Sequence, residues 1–151
     1  MADLHIDDFY KDVATIFLRL YSIFPRKIVL YVEDVCGPDE PDEFGLHHPR
    51  FEACFSTMVW LAEHGYLLFD DTVRQEALDQ VVLSQKAFLL LASRSELQLL
   101  APDTPQTLPP SVVEQSQSNV MQLRAAIHDG SSILLQRCVS YLLAHPPIGG
   151  Q

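Results

Sequence analysis

The chain has 151 residues and a formal net charge of −10, long enough for one well-formed core and too short for two ordinary domains. Nearly half of its residues are apolar, which excludes wholesale disorder, and no apolar run approaches the ~20 residues that span a bilayer. Ten basic side chains against twenty acidic ones, without a basic cluster, read against nucleic-acid binding, because a duplex repels an acidic body and phosphate affinity rests on Lys and Arg.

Asp3, Asp7 and Asp8 stand where a secretory signal would place a basic region, so the expected setting is the cytoplasm, without a membrane segment. Cys36, Cys54 and Cys138 are too few for a disulfide framework and are expected to be reduced.

Phe9, Val13, Ile16, Phe17, Leu20, Ile23 and Phe24 recur at spacings of three and four, which predicts a first helix with one apolar stripe. Asp7 or Asp8 is placed to cap it, and Pro25 ends it. The β-branched run 28–32 suits a buried strand. Residues 37–49 are broken by Gly37, Pro38, Pro41, Gly45 and Pro49 and made acidic by Asp39, Glu40, Asp42 and Glu43; they predict a surface loop with a short helical turn near residues 40–44.

A second long helix is expected over residues 50–64, apolar around more than half its circumference and stopped at Gly65. The strand 66–69 then pairs with 78–83 across an acidic tip containing Asp70, Asp71, Arg74, Glu76 and Asp79. Ser84 caps a helix to Ala92, with an extension over residues 95–100. Four prolines keep the linker 101–110 extended, and Ser111 and Glu114 form a capping box. The helical segment 111–145 carries apolar residues seven apart at Val113, Val120, Ile127, Leu134 and Tyr141, a packing or dimerisation seam that the sequence 129–132 can split into two helices.

The fold class predicted is mainly α with a small β-hairpin (α+β), divided into 1–100, the linker 101–110 and a C-terminal helix or helix pair over 111–145. The junction Leu61-Ala62-Glu63-His64-Gly65-Tyr66-Leu67 and the ending Val82-Leu83-Ser84-Gln85-Lys86-Ala87 carry a resemblance to the winged-helix superfamily over residues 7–92. That resemblance implies a surface that reads DNA. Two features depart from it: Gly37, Pro38 and Pro41 break the segment that should hold the second helix, and Arg50 is the one firm cation of the recognition helix, opposed by Glu52 and Glu63.

No phosphate loop, nucleophile elbow or metalloprotease motif occurs, so neither enzyme activity nor a cofactor is expected. Cys36, His47, His48 and Cys54 are ligand types for zinc but lack the close Cys pair of most structural sites; the expectation is no metal. Two functions remain. The first is a protein–protein interaction module or accessory subunit, self-associating, that presents Asp39, Glu40, Asp42, Glu43, Asp70 and Asp71 to a basic protein partner. The second is a dimeric DNA-binding regulator that sets His47, His48, Arg50 and Arg74 near phosphates. Charge favours the first.

Overall fold

The computed structural model describes residues 4–95 and 117–144. Helix α1, Leu4–Ile23, buries Val13, Ala14, Ile16, Phe17 and Leu20 along the stripe that its sequence spells out. It starts earlier than the sequence suggests, so Asp7 lies in its first turn instead of capping it, where a carboxylate still suits the positive end of the helix dipole. Strand β1, Ile28–Tyr31, leads straight into a five-residue helix α2, Val32–Cys36. A loop over residues 37–48 precedes helix α3, Pro49–Glu63, whose first proline supplies a preset φ where no amide partner is needed.

Three strands follow: β2, Leu67–Leu68, β3, Asp71–Val73, and β4, Ala77–Leu83. They correct the expected acidic tip. Thr72 and Val73 are β-branched and extend the ribbon by pairing with Leu78 and Ala77, so Asp71 belongs to a strand. The connection shrinks to Arg74, Gln75 and Glu76, with Arg74 and Gln75 at positive φ (52° and 61°) as the central pair of a β-turn of opposite hand to the common type. Glu76 N–H closes that turn on the Val73 carbonyl at 2.8 Å. Strand β4 is the centre of a small antiparallel sheet in the order β1-β4-β2, with β3 also on β4. The register against β1 slips between Ile28 and Leu30, opposite Gln80 at φ 56°, a bulge that bends β4 so that Leu78, Val81 and Leu83 all reach the core.

Ser84 caps helix α4, Gln85–Ala92, by accepting the Ala87 N–H. Helix α4 stops at Ala92, and Ser93 is extended; of the expected extension over residues 95–100, all but Ser95 lies outside the described residues. Helices α5, Asn119–Asp129, and α6, Ser132–Ala144, are the last elements of the described residues. A helix running unbroken from residue 111 is also corrected, because Ser118 is extended and caps α5 through the Met121 N–H; the linker 101–110, the capping box and Val113 lie outside the described residues. The buried Asn119 side chain donates to the Leu90 carbonyl at 2.7 Å, which hooks α5 onto the end of α4.

Gly130 ends α5 in the left-handed conformation at φ 78°. One hydrophobic cluster unites α1, α3, the sheet, α4, α5 and α6. No helix among the described residues is long and apolar enough to cross a membrane.

Candidate functional site

The loop 37–48 leaves α2 at Gly37, whose φ of 95° turns the chain sharply while its N–H donates to the Glu33 carbonyl at 3.0 Å. The loop is then held from within by two of its own acids. Asp39 Oδ2 meets His47 Nδ1 at 2.5 Å, and its Oδ1 accepts the His48 N–H at 3.0 Å, so one carboxylate ties the two ends of the loop together. Asp42 Oδ1 accepts the N–H groups of Phe44 and Leu46, both at 2.9 Å, and the Asp42 N–H donates to the Leu46 carbonyl at 3.0 Å. This is a side chain imitating backbone to close a turn, a role for which aspartate is suited. The helical turn expected near residues 40–44 is therefore an aspartate-closed turn.

The loop is also fixed to α3. His47 stacks on Phe51 with ring centroids 4.5 Å apart, and His48 caps α3 by accepting the Arg50 N–H at Nδ1, 3.1 Å. The hydrogen bond to Asp39 raises the pKa of His47 above its ordinary value, against the opposing effect of burial. For Asp39, burial acts upward but is outweighed by the donors His47 and His48, which hold its carboxyl below the ordinary value.

With Asp39 and Asp42 turned to internal duty, the groups left facing outward are Glu40, Glu43, Phe44 and Leu46. Phe44 is 79% exposed and Leu46 62%. Glu52 on α3 and Glu76 beside the hairpin turn lie near enough to act on the charge of His47, so this side of the molecule is acidic around two bare apolar side chains. Asp70 and Asp71 are exposed and sit at the other end of the β3–β4 ribbon from that turn.

The cations proposed for phosphate contact are differently placed. Arg50 forks over Asp12 of α1, Nη1 to Oδ2 at 2.6 Å and Nη2 to Oδ1 at 2.5 Å, with Nε 3.5 Å from Asp8. Asp12 is only 1% exposed, so this is a buried bidentate pair. Arg74 stands alone at the exposed hairpin turn. The outward positions of α3 are Glu52, Ser56 and Glu63, none of them basic. Arg50 thus turns its charge inward to α1.

The described part of the heptad stripe turns inward. Val120 is buried in the core, and Ile127, Leu134 and Tyr141 pack against it. Among the described residues no group of three or more His, Cys, Asp or Glu side chains is arranged to hold a metal ion. The two imidazoles of the sequence-derived zinc candidate face Asp39 and the start of α3, while the Cys36 thiol donates to the Gly37 carbonyl at 3.7 Å and Cys54 is buried in the core.

Sequence reasoning missed Phe44 and Leu46 as an exposed pair, and Asp12 as the partner of Arg50. The first had a faint signal, two large apolar residues flanking a glycine in an acidic loop with no periodic partners. The second had a clearer one: Asp12 falls three residues after Phe9 and four before Ile16, on the buried stripe, where a charge demands a counter-charge. Comparison with protein-family models, curated proteins and solved structures yields no match to this chain.

Proposed function

We propose that this chain is a non-enzymatic, winged-helix-type interaction module in the cytoplasm that docks onto a basic protein partner through the loop 37–48. One observation carries the reading: Phe44 and Leu46 stand in solvent on a loop whose own aspartates hold it in shape. A preformed loop loses little conformational freedom on binding, and two desolvated apolar anchors inside an acidic rim form a compact docking element. The partner it fits is an apolar cleft rimmed by Lys or Arg, with charge steering the encounter.

The winged-helix part of the reading is supported by element order. Helix, strand, short helix, helix and hairpin succeed one another, with β4 seated between β1 and β2. In that scheme α3 occupies the recognition position, yet it offers Glu52, Ser56 and Glu63 outward, which favours a protein partner over DNA. Self-association belongs to the same proposal. Since the described heptad residues face the chain's own core, exposed Leu4 and Ile133, at the N-terminal ends of α1 and α6, are apolar positions left for it.

The test compares the wild-type chain with Phe44→Ser/Leu46→Ser, each immobilised and exposed to extract from the source cell. Losing two buried anchors at about 1.5–3 kcal/mol each should weaken a genuine partner more than a hundredfold while the melting temperature stays near wild type. A double variant that retains the same partners at wild-type affinity would refute the docking loop. Duplex DNA affinity that falls steeply with salt would instead favour the regulator.

A further inference from the structure

We infer that the partner of the loop 37–48 is a second copy of this chain, seated on a basic, apolar surface built by the end of α1, α4 and the start of α5. The inference rests on the docking reading of that loop and names what it docks on. Charge is segregated along the chain. Residues 13–32, 80–95 and 117–128 contain no Asp or Glu, yet they carry Arg19, Arg26, Lys27, Lys86, Arg94 and Arg124, more than half of the 10 basic residues.

The fold brings these acid-free stretches together. Phe88 of α4 stacks on Phe24, just past the end of α1, with ring centroids 4.2 Å apart, and on Tyr21 at 5.8 Å. Arg124 of α5 lies over the same Tyr21 ring at 6.0 Å and reaches Met121 Sδ at 3.2 Å. A continuous row of contacts thus crosses three helices, from Phe24 to Met121. Apolar surface is left open along it: Leu89, beside Phe88 in α4, is 43% exposed, and Met121 is 37% exposed. Two of the cations are already engaged, Arg19 with Asp34 at 3.9 Å and Lys86 with the His64 carbonyl at 3.3 Å. Arg26, Lys27 and Arg124 form no ion pair among the described residues.

This surface offers what the loop lacks. Glu40 and Glu43 find cations without counter-charges, and Phe44 and Leu46 find apolar side chains already half in water; opposite charge speeds the encounter while the apolar anchors hold it. Phe44 and Leu46 are exposed in the single chain, so its own patch does not cover them. Loop and patch are different surfaces, which makes the contact heterologous: each copy gives its loop to one neighbour and offers its patch to a loop.

The experiment is sedimentation of the full chain from about 1 μM to 1 mM, a span that reaches weak self-association. Wild type should associate, and raising salt from about 0.05 to 0.5 M should weaken it at least tenfold by screening. Phe44→Ser/Leu46→Ser lacks the loop anchors, and Leu89→Ser/Arg124→Glu lacks the patch; each alone should remain monomeric with the circular dichroism of wild type. Mixed in equal amounts they should form a 1:1 pair, because each keeps the surface that the other has lost. A wild type that stays monomeric throughout, variants that each still associate, or a mixture that does not pair would overturn the inference. So would association abolished by Leu4→Ser/Ile133→Ser and kept by the other two variants. A protein captured from extract by the patch variant but not by the loop variant, with wild type monomeric, leaves the docking loop standing and removes only the second copy as its partner.

Discussion

Replacing Arg50 by alanine should destabilise the chain severely, and for a reason unrelated to any ligand. The guanidinium fills both lone-pair sites of a carboxylate that is 1% exposed, so its removal strands the Asp12 charge between α1 and α3 with no water to replace the partner. Breaking a buried pair from one side costs ~3–5 kcal/mol, which at this chain length is a fall in Tm of about 6–20 °C. Asp12→Ala should cost less, ~1–3 kcal/mol, because Arg50 remains a quarter exposed and still has Asp8 at 3.5 Å. Urea unfolding followed by circular dichroism, with wild type, both single variants and the double variant, closes a cycle whose coupling should be ~1–3 kcal/mol. An apolar pair, Asp12→Leu/Arg50→Met, should recover most of the loss, since a buried ion pair rarely outperforms well-packed hydrocarbon. Were Arg50→Ala to unfold within about 1 kcal/mol of wild type at an unchanged slope, the inward orientation of Arg50 would be wrong and a phosphate-reading role would regain force.

Three further outcomes follow from the same geometry. The His47 ring proton followed by NMR should titrate above the ordinary 6.5, and Asp39→Asn should bring the midpoint back toward it. Because His47 is raised and Asp39 lowered, the clip contributes fully between about pH 3.8 and 6.5; it fades as pH rises through the raised histidine value or falls through the lowered aspartate value. A wild-type midpoint at or below 6.5 would contradict the Asp39 contact. Ser84→Ala should cost ~1–2 kcal/mol by urea titration, since its hydroxyl both caps α4 and donates to the Gly65 carbonyl at 2.6 Å; a change under a few tenths would show the cap to be dispensable. Gly130→Ala should cost ~1 kcal/mol from left-handed backbone alone, as a Cβ there meets no atom within 4 Å, and a neutral result would mean that the α5–α6 turn adapts.

What the sequence made readable was periodic. The stripe of α1, the Ser84 cap and the pairing of residues 67–68 with 82–83 follow from spacings and side-chain types that act within a few residues. Partners distant in sequence were not readable. The β1–β4 pairing joins residues some fifty apart, and nothing in the run 28–32 names its neighbour. The extra strand β3 was hidden because Arg74-Gln75-Glu76 lacks the Asn or Gly that normally announces a tight hairpin. In the loop, composition located the acids but could not say which would fold inward. Asp39 and Asp42 looked like binding residues and became scaffolding, leaving Glu40, Glu43, Phe44 and Leu46 as the presented groups.

Helix α1 packs against α3, α5 and α6, so one core joins elements more than a hundred residues apart. Ile16, Phe17 and Leu20 of its apolar stripe share one hydrophobic cluster with Leu123, Val139 and Leu142 of α5 and α6. A chain truncated after Ala92 would keep every described strand of the sheet and lose α5 and α6, exposing apolar surface of α1 and inviting aggregation.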